Sequence, residues 1–555
     1  MSSEFKESVY STVCPGCNFG CGVYMRALAA RSAGAPILKI DYKKPAPVNE
    51  GKLCRFGVSL ASFYAPAVSK IGENTVDTKA AVDKAADVLK NTDPSNVCFL
   101  SVGSTTNEEH LAFMHAAKTL DLTVSTGMSG LFRDIGKLHA YTGRGVTYDE
   151  IKDAKKIYLF VDPYVQYPLL VRRLVHAKNN GAEIISFGVK EFALSSKHVF
   201  LKPADSLYDA EEFAPDADSL VISDLTPYTQ AKRLAEMVEI AGESAKMLFL
   251  KPFVNSTGAG YLSKHTKQKS FDDIIAGIDS GDIKVLVCLE SDLFDICLDE
   301  NIAETLENLE CLIVVTSRPT SVCSIADIVI ATEPFYKKKG SVMNAEGRLL
   351  QTTAAAGDLP LTGFGALSDL AAALGGGALD YDAVHAEAVL SLGATEDEFK
   401  ILAPVLKKEK PAIEKISDQL PDLALEDNAQ SPDSYESAST LAEEAEEEKA
   451  KALHIYVTNP FLWNNVADDD DFIEICRCGV KTFKLLKGFT ADVTCRCGEE
   501  TKTTRFKISP MPCHCILSTR KQPFAKAAVT EVFVKGTPTK PAGADGSKTC
   551  EIVKE

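Results

Sequence analysis

Residues Val13–Val23 read VCPGCNFGCGV, and PVNEGKLCRFG follows at Pro47–Gly57. Cys14, Cys17 and Cys21 have C-x2-C-x3-C spacing, which puts three thiols in one tight loop, and Cys54 can close a cage from a distance. A cubane [4Fe-4S] cluster takes four thiolates. Gly16, Gly20 and Gly22 let the backbone wrap closely around such a group. Four cysteines can also hold zinc, but structural zinc sites usually use two C-x2-C knuckles, and the second is missing here. The spacing therefore predicts a [4Fe-4S] cluster on Cys14, Cys17, Cys21 and Cys54. The domain around it, residues 1–70, is expected to be organised by the metal site rather than by a core.

The whole chain sets the bounds around that motif. With 555 residues it is too long for one ordinary core, so several domains are expected. The formal net charge of -17 argues against nucleic acid and against anionic membrane surfaces, which attract basic patches. No run of about 20 apolar residues is present, so no membrane-spanning helix is expected. The N-terminus MSSEFKESVYSTVCPGC has neither a basic region leading into an apolar core nor a twin arginine, and does not read as a secretory signal. A cytoplasmic location is expected, where thiols stay reduced, so the 16 cysteines need a reason other than disulfides. Scattered ones such as Cys98 and Cys288 lie in apolar runs and read as small buried hydrophobes.

From about residue 75 to 415 strand and helix alternate. Helices are expected at Ala80–Leu89, Asn107–Leu120 and Leu169–Lys178. Strands are expected at Val97–Val102, Ile157–Val161, Glu183–Phe187, Met247–Leu250, Val285–Leu289, Leu312–Val315 and Ile328–Ile330. Such alternation implies an α/β fold with parallel sheets covered on both faces. Residues 417–451 are acidic with few large apolar side chains and read as a linker. A β-rich, Cys-rich segment over 452–540 and a tail over 541–555 complete the domain reading, after α/β domains over 71–416.

The β-rich segment holds Cys476-Arg-Cys478, Cys495-Arg-Cys497 and Cys513-His-Cys515. In a strand, residues i and i+2 share a face, so each pair presents two thiols to one side. Four of these six sulfurs could hold zinc or a second iron–sulfur cluster. The bland alternative is that they fill the interior of a small barrel. His110 and His115 are five apart on a helix and do not share a face. No Gly-x-Gly-x-x-Gly or P-loop is present, so NAD or ATP binding has no support.

The wording of the cysteine motif resembles the N-terminal domain of the molybdopterin bis-guanine dinucleotide oxidoreductases. That family includes the catalytic subunits of formate dehydrogenases, the corresponding chain of formylmethanofuran dehydrogenase and the large iron–sulfur subunit of complex I. GSTTNEEHLAFMHAAK resembles the family's first helix of its second domain, and IADIVIATEPFYKKKGSVMNAEGRLLQ resembles a segment that shapes the pterin cavity. YVTNPFLW and ISPMPCHC resemble a shortened C-terminal barrel. The resemblance implies Rossmann-like parallel-sheet domains and leaves open a molybdopterin guanine dinucleotide.

The departures are specific. Catalytic members place a metal ligand soon after the first helix, where this chain reads TVSTGMSGLFRDIG with no cysteine. Ser125 or Ser129 could serve in principle, though a loop serine more often caps a helix or turn. Phe56 stands where formate dehydrogenases carry a lysine between cluster and pterin. SFGVK at Ser186–Lys190 replaces Asp-Pro-Arg, and Glu290-Ser291-Asp292 replaces Gly-Asn-Pro. These departures lead to three expectations. The first is an electron-transfer subunit of a larger cytoplasmic oxidoreductase complex, without working molybdenum or tungsten, docked to other redox subunits. The second is a catalytic molybdenum or tungsten enzyme acting on formate or a related one-carbon substrate. The third is a structural scaffold.

Overall fold

The computed structural model describes residues 7–393 apart from short stretches, chiefly 29–36, 128–145, 226–230, 297–301 and 353–361, together with seven strands between His454 and Val553. The acidic segment 417–451 and Ser129 lie outside the described residues.

The chain opens with an antiparallel meander of Glu7–Val13, Gly22–Leu28 and Ile37–Tyr42. Alternation decides its inner face: Val23, Met25 and Ala27 are buried, while Tyr24, Arg26 and Leu28 between them are half-buried. Val13, Phe19, Val23 and Met25 share one core with Ile157 and Leu159 of the neighbouring sheet and Leu170 and Leu174 of the helix Leu170–Asn179. The domain thus has an apolar core after all, but a borrowed one.

Two parallel sheets follow. Five parallel strands run in the spatial order Lys197–Phe200, Glu183–Gly188, Lys156–Leu159, Ser219–Asp224, Lys246–Leu250. In chain order this is 3-2-1-4-5, a doubly wound arrangement. The other sheet runs Ile328–Ala331, Cys311–Thr316, Val285–Leu289, Val97–Leu100, Val124–Ser125, with a small antiparallel hairpin of Lys70–Ile71 and Asn74–Thr75 at one edge. Its parallel strands read 5-4-3-1-2. The first sheet is therefore inserted between the second and third strands of the other.

The local reasons are ordinary. Val285–Leu289 and Cys311–Thr316 are buried along their whole length, as strands covered on both faces must be. The helix Thr78–Asn91 starts where the Asp77 carboxylate accepts from the Ala80 N–H at 2.7 Å. The helix Asn107–Lys118 is capped by Thr106 and carries Glu108 and Glu109 in its first turn. Phe271–Asp279 has a reciprocal capping box of Ser270 and Asp273. Each helix and strand expected from the sequence is present to within a few residues. The central strand Ser219–Asp224 and the edge strand Lys197–Phe200 were not anticipated. Beyond residue 453 the described strands form a three-stranded sheet and a separate four-stranded antiparallel sheet.

Candidate metal centre and the neighbouring crevice

The loop from Cys14 to Cys21 is closed by a 2.7 Å bond from the Cys14 N–H to the Cys21 carbonyl. Asn18 anchors it from within. Its side-chain N–H groups donate to the carbonyls of Val254 and Met343 at 2.9 and 3.2 Å, and its oxygen accepts from Thr257 Oγ1 at 2.8 Å. Its backbone N–H donates to the Lys251 carbonyl and its carbonyl accepts from the Ala345 N–H. The Phe19 ring stacks on Tyr148 at 4.2 Å, and the Phe19 carbonyl accepts from the Tyr148 hydroxyl and the Asn344 amide, both at 3.1 Å. The segment after the strand Lys246–Leu250, Tyr148 and the hairpin Gly340–Thr352 therefore fix this loop.

Cys54 arrives on a turn tied to the same loop. Asn49 is buried, accepts from the Gly22 N–H at 2.9 Å, and donates to the carbonyls of Gly22 and Lys52. The short helix Arg55–Val58 then begins, and the N–H groups of Phe56 and Gly57 reach the Cys54 sulfur. The Phe56 ring lies flush on Gly16, where no Cβ would fit. An apolar ring thus seals the loop at the position where the resemblance led one to look for a lysine.

Cys14 and Cys21 are buried, while Cys17 and Cys54 are half-buried. Burial first, and the neighbouring thiols next, push Cys14 and Cys21 well above the usual thiol range. Cys14 feels Cys54 and Cys17; Cys21 feels Cys14, Cys17 and Cys54. No cationic side chain among the described residues opposes this at Cys14, Cys21 or Cys54. Four thiols thus sit within electrostatic reach of one another, and as thiolates they would require positive charge from outside the protein. That donor set fits an iron–sulfur cluster.

The carboxyl edge of the other sheet is built differently. Such an edge is where open α/β sheets bind ligands, at the strands where the order reverses, here Val97–Leu100 and Val285–Leu289. Glu290 follows the second of these with φ +47°, a strained conformation for a side chain of its size. Its buried carboxylate meets Lys338 Nζ at 3.2 Å, Ser317 Oγ at 3.1 Å and the Thr316 and Thr332 hydroxyls at 3.4 Å. Lys338, fully buried, also pairs with Glu109 at 2.5 Å. Burial opposes its charge, but Glu109, Glu290 and Glu333 outweigh burial and hold the ammonium above the usual lysine range. Burial pushes Glu109 up, and Lys338 pulls it back. Glu333 accepts from Thr362 and from the Gly363 N–H. Glu108 accepts from the Ser341 N–H at 2.8 Å, Ser341 Oγ at 2.9 Å and His385 Nδ1 at 2.7 Å. Ser291 bridges the two strands, accepting from the Val102 N–H and donating to the Leu289 carbonyl. Segment 253–257 covers Gly103 (φ +86°) so closely that a Cβ there would lie 2.7 Å from Ser256 Cα.

Residues 7–65 match the family model described as "Molybdopterin oxidoreductase Fe4S4 domain". This segment is such an Fe4S4 domain. A [4Fe-4S] cluster is the cofactor of that domain, consistent with the four thiols. The chain is 29% identical over 192 residues to the F420-dependent formate dehydrogenase 1 subunit alpha of Methanococcus maripaludis, covering 31% of this chain and 27% of that protein. It is 30% identical over 199 residues to the formate dehydrogenase 2 subunit alpha of the same organism, covering 33% and 28%. The match thus spans less than a third of these relatives' length. Acetylene hydratase from Pelobacter acetylenicus shares the fold with a TM-score of 0.54 at 11% identity, over 94% of this chain and 92% of that one. The architecture is accordingly mixed α/β, with parallel sheets arranged as in molybdopterin oxidoreductases and a small Fe4S4 domain in front.

The other sequence-derived candidates are placed as follows. Ser125 donates to the Lys269 carbonyl and accepts from the Gly127 N–H at 3.1 Å, which is the turn-capping role. His110 is buried between the Ser101 and Ser263 hydroxyls, at 2.9 and 3.1 Å, and burial lowers its pKa to about 4. His115 pairs with Glu387 at 2.8 Å. Cys476 and Cys515 fall in the three-stranded sheet, but the register pairs Cys476 with His514 and Cys515 with Ile475, one position apart. Cys495 and Cys497 fall in the four-stranded sheet, and Cys478 and Cys513 lie outside the described residues. Sequence reasoning missed Lys251, fully buried beside Thr257 with its pKa lowered by burial to about 7. It also missed Asp224, whose pKa burial raises to about 8. Each lies at or just beyond the carboxyl end of its strand, and no local pattern marks a charged residue there as buried.

Proposed function

We infer that this chain is an iron–sulfur electron-transfer subunit of a larger cytoplasmic oxidoreductase complex, with Cys14, Cys17, Cys21 and Cys54 holding a relay cluster and no working molybdenum or tungsten. The observation that carries this reading is that the four thiols lie within electrostatic reach of one another, with no cation of the described residues beside Cys14, Cys21 or Cys54, whereas Lys338 in the crevice is already held by Glu109 and Glu290. When bound, the cluster takes up and releases single electrons. The chain's residues do the rest. Asn18 and Asn49 hold the two cysteine segments in register, N–H groups of Phe56 and Gly57 steady Cys54, and the Phe56 ring packs on the loop at Gly16.

A dinucleotide cofactor brings pyrophosphate, which is recognised by free N–H groups and cations. In the crevice Lys338 is already paired with Glu109 and Glu290. Ser291 is held by the Val102 N–H, and Ser256 packs against Gly103 at the same sheet edge. No helix among the described residues is long and apolar enough to cross a membrane. The formate dehydrogenase relatives carry the word subunit in their names, which supports a place within a complex.

Anaerobic purification followed by iron, molybdenum and tungsten analysis tests the reading. About four irons per chain with neither heavier metal is the expected result. Molybdenum or tungsten near one per chain would overturn it. That second result would favour the catalytic reading, with formate or a related one-carbon substrate and Ser129 as ligand, which the names of the relatives support.

A further inference from the structure

The Fe4S4 domain has a charge opposite to that of the whole chain. Between Glu7 and Val58 there are seven basic and three acidic residues, net +4, in a protein of formal charge -17. Two of those acids are engaged. Asp41 binds Arg26 through both Nε and Nη2, at 3.0 and 2.7 Å, and Glu50 lies 2.9 Å from Arg172 and 3.6 Å from Arg173. Lys39, Lys44 and Lys52 are exposed and make no ion pair among the described residues.

The fold places Lys44 and Lys52 at the cluster motif. A Cβ on Gly51 would lie 3.1 Å from Lys44 Cα, so the segments bearing Lys44 and Lys52 run side by side. Asn49 ties that turn to Gly22, next to Cys21, and to Lys52, two residues before Cys54. Cys54 and Cys17 are the more exposed of the four cysteines, and Lys52 stands two residues before the first of them. Tyr42 and Val58, each 54% exposed, add apolar surface to the same stretches.

We propose that this lysine rim docks an acidic one-electron carrier protein, which exchanges electrons with the cluster across the Cys54 edge. This rests on the reading that the four cysteines hold the cluster. In the step the carrier loses one electron as the cluster gains one, or the reverse, and no bond or proton moves. A basic rim on an acidic molecule steers an acidic partner to one face and repels it elsewhere, an effect on association rate that salt screens.

The test uses the full chain and a Lys44→Glu/Lys52→Glu variant, both purified anaerobically. Stopped-flow spectroscopy follows oxidation of the reduced cluster by ferricyanide, an anion, and by hexaammineruthenium(III), a cation. The ratio of the anion's rate to the cation's is expected to fall about tenfold in the variant at low ionic strength and to converge with wild type at high salt. Calorimetric titration with a ferredoxin of strongly negative charge should show binding about tenfold weaker in the variant. An unchanged ratio with unchanged ferredoxin binding overturns the proposal. So does the case in which the chain's own acidic stretch, 417–451, already covers the rim, because both measurements then stay flat. Iron content and the EPR signal of the reduced protein are read separately. Their absence in wild type would defeat the cluster reading, and the calorimetry would still judge the docking surface.

Discussion

Four thiols converge at Cys14–Cys21 and Cys54, and four carboxylates, of Glu108, Glu109, Glu290 and Glu333, line the crevice at the carboxyl edge of the neighbouring sheet. Both sets are buried or nearly so, and both would repel themselves if left alone. The carboxylates are answered from within the chain by Lys338, His385, hydroxyls and backbone N–H groups. At Cys14, Cys21 and Cys54 backbone N–H groups favour the thiolate, and no cation among the described residues does. Buried charge has to be neutralised or it is not formed. The comparison teaches how differently the two sets are met: no cation of the described residues lies beside Cys14, Cys21 or Cys54, whereas the crevice spreads one lysine, one histidine, hydroxyls and backbone N–H groups over its four carboxylates.

Removing a thiol should break the comparison most completely. Cys17→Ala leaves three ligands for a group that takes four, so iron content should fall from about four per chain toward zero. The EPR signal of the reduced protein should vanish with it. Much of the Fe4S4 domain's order should go as well, read as faster amide exchange over residues 7–58, because cluster binding and folding are coupled. Retention of a full iron complement would mean that these four cysteines are not the ligand set.

Next in size is the crevice's own cation. Lys338→Met keeps the bulk of the stem but strands three acids, and breaking such a buried pair typically costs about 3–5 kcal/mol. The expected readout is a lower midpoint in denaturant at unchanged iron content. Adding Glu109→Gln should return part of that loss, since one stranded charge is removed. If Lys338→Met is as stable as wild type, the network does not depend on its lysine in the way described, and the crevice reopens as a place for an external ligand.

How far the sequence led follows from the range of the forces involved. The strands Val97–Leu100, Val285–Leu289 and Cys311–Thr316 were legible because both their faces are covered and the run is apolar throughout. The helix ends were legible from short-range caps such as Thr106 and Ser270. The cysteine cage was legible because three of its members are local. Ser219–Asp224 was not, because SLVISD is short, mixed in polarity and ends in a carboxylate. Only its place at the centre of a sheet makes it a buried strand. The crevice was seen only as a missing Gly-Asn-Pro. That Glu290 there would face a lysine far along the chain is a matter of tertiary placement, which a local pattern does not encode.

The smallest expected effect sharpens the comparison at its boundary, where Phe56 seals the thiol loop against Gly16. Phe56→Lys would bring a cation toward the loop, the one element that side of the comparison lacks. A positive charge favours the reduced, more negative cluster, so the reduction potential should rise. At an effective dielectric near 20 a charge about 10 Å away contributes about 1.7 kcal/mol, which for one electron is on the order of 70 mV. Phe56→Leu controls for loss of the ring and should move the potential far less. Redox titration followed by EPR separates the two. A lysine that shifts nothing would show that water already screens the loop, and the dry, uncompensated character ascribed to the thiols would have to be given up.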